Sequence, residues 1–505
     1  MKGGNSVTDR LNSLVDRPDV LLAILAAVTF SLRFPALGDW NLEIDDQWYS
    51  LVGHRLLSGQ LLYVDIFDRK GPALYLLFTA LAIPGKSVLP YQILAGACAT
   101  WASYLCARIA MDRSNVLAGL ASALLMTGLV FAHGGANAQT PIFYNPLVLI
   151  GASAVVSRID LLSKGRIDRR LVLGFLATGL AIAFKLSVVF EGIFFGLFAS
   201  FLMWKSSNSR ARVLRNVATL AAAGAAPMLV ATLFYVAIGH FDEFWQAIVR
   251  SNFDRTYFTP ADRLKRVEIF VTMIGLPLAL FVGSVALQVI NREWDREARF
   301  LAGWAAVSIL AILIFPAFYS HYALTTIAPL CIGIAPILKR SRAALLVALA
   351  FVPLAVAKSG EFAPSTRERS RHASAELVKY VDTELGNGKL VVWGSPSYLH
   401  VMVGSPPLSF LAFPPHLYHQ LEAGASGRDE VMEVRRMLAQ RPDVVVVQEN
   451  LAKPQNRATQ ALVAEYLATC RKARKFVLFD HFGDQHQTVY SRCSGTVRQR
   501  RIIGS

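Results

Sequence analysis

Blocks of roughly 16–24 apolar residues, broken by short loops rich in arginine and lysine, fill the first 357 positions of this 505-residue chain. A helix of about 20 apolar residues crosses the hydrocarbon core of a bilayer. Repetition of such blocks therefore restricts the chain to an α-helical polytopic membrane protein, because helices satisfy their backbone polar groups internally. With 54% hydrophobic and 17% charged residues, the chain lacks the polar surface that a soluble protein of this length needs. The net charge of +16 would suggest nucleic acid in a soluble domain. Here the basic residues sit in loops between spans, where the positive-inside rule accounts for them, and no nucleic-acid partner is expected.

Basic clusters at Arg10/Arg17, Arg108/Arg113, Arg158–Arg170, Lys205–Arg215, Arg292–Arg299 and Lys339–Arg342 mark the cytoplasmic side. Threading between them predicts about eleven spans, at 19–37, 90–107, 115–132, 141–158, 171–187, 188–204, 216–238, 267–290, 300–317, 323–338 and 343–357. The N-terminus then lies inside and the C-terminus outside. Lys2, Arg10 and Arg17 precede the first apolar block, with no small-residue cleavage site after it, so that block is expected to stay as an anchor. The stretch Leu171–Trp204 is too long for one crossing at 1.5 Å per residue and is expected to fold back near Lys185 and Glu191.

Gly71–Gly85 has about 14 apolar residues, short for a span. Counting it as a crossing would turn the arginine-rich loops outward. An external loop over 39–89 is expected instead, with two helices lying along the membrane, Asp45–Leu57 and Gly71–Ile83. Trp48, Leu51, Val52, Arg55 and Leu56 recur at helical spacing in the first. Further external elements are Phe131–Pro141, the Lys185 turn and Gly239–Arg266.

Beyond Ala357 the pattern changes. Helical stretches at Ala373–Leu385, Asp429–Gln440 and Gln460–Cys470 alternate with β-rich runs at Lys389–Trp393, Val444–Val447, Phe476–Phe479 and Thr488–Tyr490. This predicts a small α/β domain over 358–505, outside by the span count, beside a membrane domain over 1–357. Cys98, Cys106 and Cys331 fall in apolar blocks as small core residues, whereas Cys470 and Cys493 could pair in an oxidising compartment.

Residues able to do chemistry concentrate in the first external loop. Asp45 and Asp46 follow the first span. They are open to two roles: capping a helix N-terminus, or serving as a general base facing a water-filled cavity. The run Tyr63-Val-Asp65-Ile-Phe-Asp68-Arg69-Lys70-Gly71-Pro72 is either solvated loop charge or a phosphate-binding element through Arg69 and Lys70. Lys185 either snorkels to the interface, pairs with Glu191, or neutralises an anionic ligand. His321 and Tyr322 suit an aromatic belt or a substrate contact. The segment from Arg250 to Tyr257 offers polar and aromatic groups to a sugar, or is a plain loop. Trp393-Gly394-Ser395-Pro396 follows a strand, a common ligand position in α/β domains, but lacks a phosphate fingerprint.

The stretch LEIDDQWYSLVGHRLLSGQLLYVDIFDRKGPALYLL, after a first span, resembles the bacterial GT-C fold membrane glycosyltransferases of the protein O-mannosyltransferase and aminoarabinose transferase superfamily (glycosyltransferase family 39-like). The family's acidic pair, Ala-Arg-like stretch, Gly-x-x-x-Tyr-x-Asp element and Lys-Pro-Pro correspond to Asp45-Asp46, His54-Arg55, Gly59 to Asp65 and Lys70-Gly71-Pro72. FYSHYALTTIAPL is similar to a later His-Tyr segment of the family, and KLVVWGSPSYLHVMVGSPP to the periplasmic domain of some members.

The resemblance implies a polyprenyl-phosphate-linked sugar donor and a glycan, glycolipid or protein acceptor at the periplasmic face of the bacterial inner membrane. It implies Asp45 as the base for the acceptor hydroxyl, with Asp46 beside it, and inversion at the sugar. Arg69, Lys70 and Lys185 would hold the donor phosphate, and Tyr63, Asp65, Gln139, Tyr257, His321 and Tyr322 the substrates. Asp-Asp stands where the family has Asp-Glu. Gln139 stands where many relatives have an acid, which argues against dependence on a divalent cation, and no other cofactor is expected. A lipid-linked sugar flippase and a polysaccharide ligase remain as alternatives. The first would show charges inside several spans; the second, a large arginine-rich late loop, whereas Gly239–Arg266 is short.

Overall fold

The computed structural model describes residues 15–206, 209–255, 259–314, 319–480 and 483–494. The chain divides into two compact units: one of residues 1–37, 91–233 and 258–362, the other of 38–90, 234–257 and 363–505.

The first unit is helical. Across the described residues, eight helices are long and apolar enough to cross a membrane: Pro18–Ala36, Leu89–Arg113, Val116–Gly135, Leu186–Lys205, Arg210–Ala237, Arg296–Ile314, His321–Arg340 and Arg342–Leu385. The last runs on into the second unit. A pair bent by 61°, Pro260–Thr272 and Ile274–Ile290, makes a ninth if counted as one span. Two further expected crossings are shorter helices, Thr140–Val156 and Arg169–Phe184, of 17 and 16 residues. The second of these stops where expected, because Lys185 leaves helical geometry at φ −151°, ψ 120°, and the chain restarts through Leu186–Val188. Exposed Leu229, Val230, Leu233 and Phe234 on Arg210–Ala237 carry the apolar surface expected of a helix in lipid.

Between Val116–Val130 and Thr140–Val156 the helix breaks over Phe131–Gly135, with Gly134 at φ +83°, a left-handed conformation that glycine adopts without strain. The carbonyls released there are taken up by buried Arg33, which donates to Gly135 O, to Ala136 O at 3.2 Å and to Asn137 O at 3.4 Å.

The second unit contains a four-stranded sheet. Its strands are β1 (Leu390–Trp393), β2 (Val444–Gln448), β3 (Cys470–Asp480) and β4 (Gly483–Cys493), in the order β1-β2-β4-β3. β1 and β2 are parallel, with Val391 opposite Val445; β4 runs antiparallel to both β2 and β3. The helix Pro364–Leu385 packs Leu377, Val381 and Leu385 on Val392, Val446, Leu478 and Val489 of this sheet. Burying each such side chain is worth about 1.5–3 kcal/mol. Cys470 and Cys493, opposite one another in β3 and β4, form a disulfide. A buried ion pair, Arg367 with Asp39 at 3.6 Å, ties this helix to the start of the 38–90 segment, where Ser370 Oγ also donates to Asp39 Oδ1 at 2.9 Å.

The loop over 38–90 contains two helices, Ile44–Leu57 and Pro72–Ala82, near their expected positions. They pack on each other through Gly53, where an added Cβ would lie 2.6 Å from Phe78 O; only a glycine allows that approach. Ile44–Leu57 differs from the one-faced surface helix that its spacing suggested. Asp45, Asp46, Gln47, Trp48, Tyr49, Leu51, Val52 and Gly53 are all buried. Its remaining faces are covered by Tyr398–Val403 and by Phe413, residues more than 340 positions away that no local pattern reveals.

Candidate functional site

Glu43, rather than either aspartate, caps the helix Ile44–Leu57, accepting from its own neighbour Ile44 N at 3.2 Å. Asp45 and Asp46 fall in the first turn, where a negative charge complements the helix dipole. Both are buried, at 9% and 1% exposure. Asp45 Oδ1 pairs with Lys70 Nζ at 3.1 Å.

A turn delivers Lys70. Leu61 N donates to Asp65 Oδ2 at 2.7 Å, and Tyr63 N to Ile66 O at 2.8 Å. Tyr63 sits at φ +67°, a conformation that costs a non-glycine residue roughly 1–2 kcal/mol. Contacts made by the same side chain offset that cost. Its hydroxyl donates to Lys70 O at 2.7 Å, and its ring packs on Tyr235 and Phe244 at 5.5 and 5.7 Å. Tyr235 also donates to Leu62 O at 3.0 Å, so the 234–257 segment braces the turn from outside. Tyr63 and Asp65, expected as substrate contacts, are thus the residues that shape the loop behind Lys70.

Asp68, buried at 2% exposure, orients the end of this loop. It accepts from Trp48 Nε1 at 2.6 Å and from Lys70 N at 2.8 Å. The Lys70 ammonium lies 4.8 Å from the centre of the Tyr49 ring and 5.6 Å from that of Phe413. Burial alone would lower the Lys70 pKa, but the Asp45 and Asp68 charges outweigh it and hold the value well above the ordinary one. Lys70 is therefore a fixed cation with a carboxylate on one side and aromatic faces on others.

Arg69 points to a second cluster. It pairs with Glu422, which also accepts from Arg255 at 2.9 Å. Burial would raise the Glu422 pKa; the two guanidinium groups reverse this and hold it well below the usual carboxylate range. His416, 5% exposed, lies edge-on to Phe67 and Phe413 at 5.2 and 5.0 Å. Burial lowers its pKa to about 4, with the Arg69 charge acting the same way, so it is neutral at pH 7. Glu422, Phe413 and His416 carried no local signal, and Asp68, Trp48 and Tyr49 lay unremarked as ligands within the recognised loop. Arg255 belongs to the polar segment noted before Tyr257. Tyr257 itself lies outside the described residues.

The remaining candidates fall in the membrane unit. Lys185 Nζ lies 4.6 Å from the centre of the Tyr322 ring. Tyr322 meets His321 edge-on at 5.0 Å, and His321 stacks on Tyr319 at 5.7 Å with the rings 5° apart. Arg266, which the sequence did not single out, stands over Tyr319 at 5.3 Å. Two cations and three rings thus form one cluster. Gln139 is buried just before the helix Thr140–Val156, its N–H donating to Asn137 Oδ1 at 3.1 Å. In the second unit, Ser395 is buried with its hydroxyl on Gln487 at 2.5 Å, a structural role for the strand-end motif. Among the described residues, no three His, Cys, Asp or Glu side chains are grouped so as to hold a metal ion.

No family model matches the chain, and no curated protein sequence does. Solved structures match along most of its length. The crystal structure of ArnT, an aminoarabinose transferase, from Cupriavidus metallidurans bound to undecaprenyl phosphate aligns over 93% of this chain and 98% of that one, with a TM-score of 0.57 and 12% identity. The same protein in the apo state aligns over 93% and 97%, with a TM-score of 0.56 and 12% identity. The Archaeoglobus fulgidus oligosaccharyltransferase, tethered to an acceptor peptide containing the NVT sequon, aligns over 85% of this chain and 69% of that one, with a TM-score of 0.51 and 11% identity. At these identities the likeness establishes architecture: the chain is a multi-pass membrane protein with the GT-C fold.

Proposed function

We propose that this protein is a membrane glycosyltransferase. It moves a sugar from a polyprenyl-phosphate carrier to an acceptor hydroxyl of the cell envelope, on the periplasmic face of the inner membrane, with Asp45 as general base. The observation that carries this is the largely enclosed pair of Asp45 and Lys70 at 3.1 Å, a base and a phosphate-competent cation held side by side. An incoming lipid phosphate that engages Lys70 takes the ammonium's charge away from Asp45. The carboxylate oxygens then open to the acceptor hydroxyl. Asp45 accepts the hydroxyl proton, the oxygen forms a bond to C1 of the sugar from the face opposite the carrier, and the C1–O bond to phosphate breaks. The electron pair leaves on polyprenyl phosphate, and the anomeric centre inverts. A phosphate leaving group needs charge stabilisation rather than a proton, and Lys70, with the neighbouring Arg69 as a further cation, supplies it. The GT-C architecture, present in a transferase bound to undecaprenyl phosphate, supports the same reading.

The test compares envelope glycans and lipid-linked sugars in a deletion strain carrying the wild-type or the Asp45→Asn gene. Wild type restores one sugar residue. Asp45→Asn, made at equal level, is expected to leave that residue missing and its lipid-linked donor accumulated, with transfer down by about 10²–10⁴-fold. Transfer by Asp45→Asn at the wild-type rate removes Asp45 as the base. Movement of the lipid-linked sugar across the membrane with no change in covalent linkage would indicate a flippase instead.

A further inference from the structure

We infer that Phe413 is a positioning residue for Lys70. With Tyr49 it forms a two-ring clamp that holds the ammonium where the donor phosphate is bound, so that the C-terminal segment completes the donor site. The inference rests on the reading that Lys70 binds the donor phosphate.

Lysine is a flexible four-carbon stem whose head would ordinarily seek water. Here the Nζ atom is held by Asp45 at 3.1 Å and lies within 6 Å of two ring centres, Tyr49 at 4.8 Å and Phe413 at 5.6 Å. That is the range in which the negative face of a ring attracts a cation. Release of Asp45 to its task removes the directly paired anion, but the ring faces remain, with the Asp68 charge behind them. They keep the ammonium from swinging out while it exchanges one anion for another.

Phe413 is itself held in place. Its ring leans on Trp48 at 5.4 Å and on His416 at 5.0 Å, and Trp48 is fixed by its 2.6 Å bond to Asp68. The backbone around it is registered to the Lys70 loop, since Phe67 N donates to Phe410 O at 3.0 Å. The loop that presents Lys70 and the segment that presents Phe413 are thus one hydrogen-bonded piece, joined on the far side by Arg69 and Glu422.

Binding of undecaprenyl phosphate to the purified full chain in detergent micelles tests this without knowledge of the sugar. Phe413→Leu keeps an apolar group of similar bulk and removes the π face; it is expected to weaken binding about 5- to 10-fold. Phe413→Trp, with a stronger π face, is expected to stay within about two-fold of wild type. Trifluorophenylalanine at 413, nearly isosteric with phenylalanine but with its ring charge drained, should behave like Phe413→Leu, which keeps the test valid if leucine disturbs folding. In a Lys70→Met background, Phe413→Leu should have no further effect, because residues acting through one another are not additive. Wild-type affinity in the leucine and fluorinated variants, equal losses in leucine and tryptophan, or additive losses with Lys70→Met would each overturn the inference. Binding that is lost in Lys70→Met but indifferent to residue 413 overturns this inference alone. Failure of the wild type to bind undecaprenyl phosphate overturns the donor reading together with it.

Discussion

Replacing Glu422 by glutamine keeps the side chain's shape and removes its charge from between Arg69 and Arg255. All three side chains are largely buried, with exposures of 11%, 14% and 10%. Two guanidinium ions would then face each other across a neutral amide. Breaking a buried ion pair by removing one partner costs about 3–5 kcal/mol. Glu422→Gln should lose stability of that order, about 10 °C or more in unfolding temperature for a unit of this size. The pH dependence is set by the direction of the shift. The folded-state pKa of Glu422 lies below its unfolded value, so its contribution is fully present above about pH 4.5 and fades as the pH falls toward the folded value. The gap between wild type and Glu422→Gln should therefore be widest near neutrality and narrow on acidification. Thermal unfolding of the detergent-solubilised protein from pH 7.5 down to pH 4 measures both effects. Equal unfolding temperatures at pH 7, or a gap that widens on acidification, would refute the electrostatic account of this junction.

Gly53→Ala places a methyl carbon 2.6 Å from Phe78 O, so the two loop helices must part; a loss of about 1–3 kcal/mol is expected in the same unfolding measurement. Tyr63→Phe removes the 2.7 Å bond to Lys70 O while keeping the rings, and should cost about 1 kcal/mol and raise KM for the lipid donor more than it lowers kcat. His416 has a folded pKa near 4, below its unfolded value of about 6.5, so it favours the folded state above that value and loses the advantage as the pH falls toward 4. His416→Gln should accordingly flatten the decline in unfolding temperature between pH 6.5 and 4; an unchanged slope would show that other groups carry it.

Elements whose signal is local were legible in the sequence. The apolar blocks between arginine clusters located the long helices, and Lys185 marked the break between Arg169–Phe184 and Val189–Ser206. The alternation after Ala357 gave β1, β2 and the helices flanking them. β3 and β4 came out longer than expected, because pairing in a hairpin extends strands into residues such as Arg471 and Lys472 whose own pattern is polar. Asp45, Lys70 and the turn between them were legible because they lie within 26 residues of one another on a recognisable motif. The partners that give the pair its properties were not. Phe413 meets it, and His416 and Glu422 meet the adjoining Phe67 and Arg69, through tertiary contacts, and a phenylalanine, a histidine or a glutamate in a C-terminal segment has no periodicity that announces such a meeting. The enclosure of Ile44–Leu57 was missed for the same reason: its second covered face appears only once Tyr398–Val403 is in place.

The ribosome makes Arg69 353 residues before it makes Glu422. Through most of synthesis the carboxylate at Asp45 and the ammonium at Lys70 therefore lack the C-terminal residues that enclose them, and the membrane helices in between are made first. Contacts of such long sequence separation form late, because the loop must close before they reward it. A nascent or prematurely ended chain can thus hold the recognisable motif intact and still lack the wall that encloses it. Completion of the chain acts as the final step in enclosing the pair, and a chain cut short before Phe413 lacks one of the two rings beside Lys70.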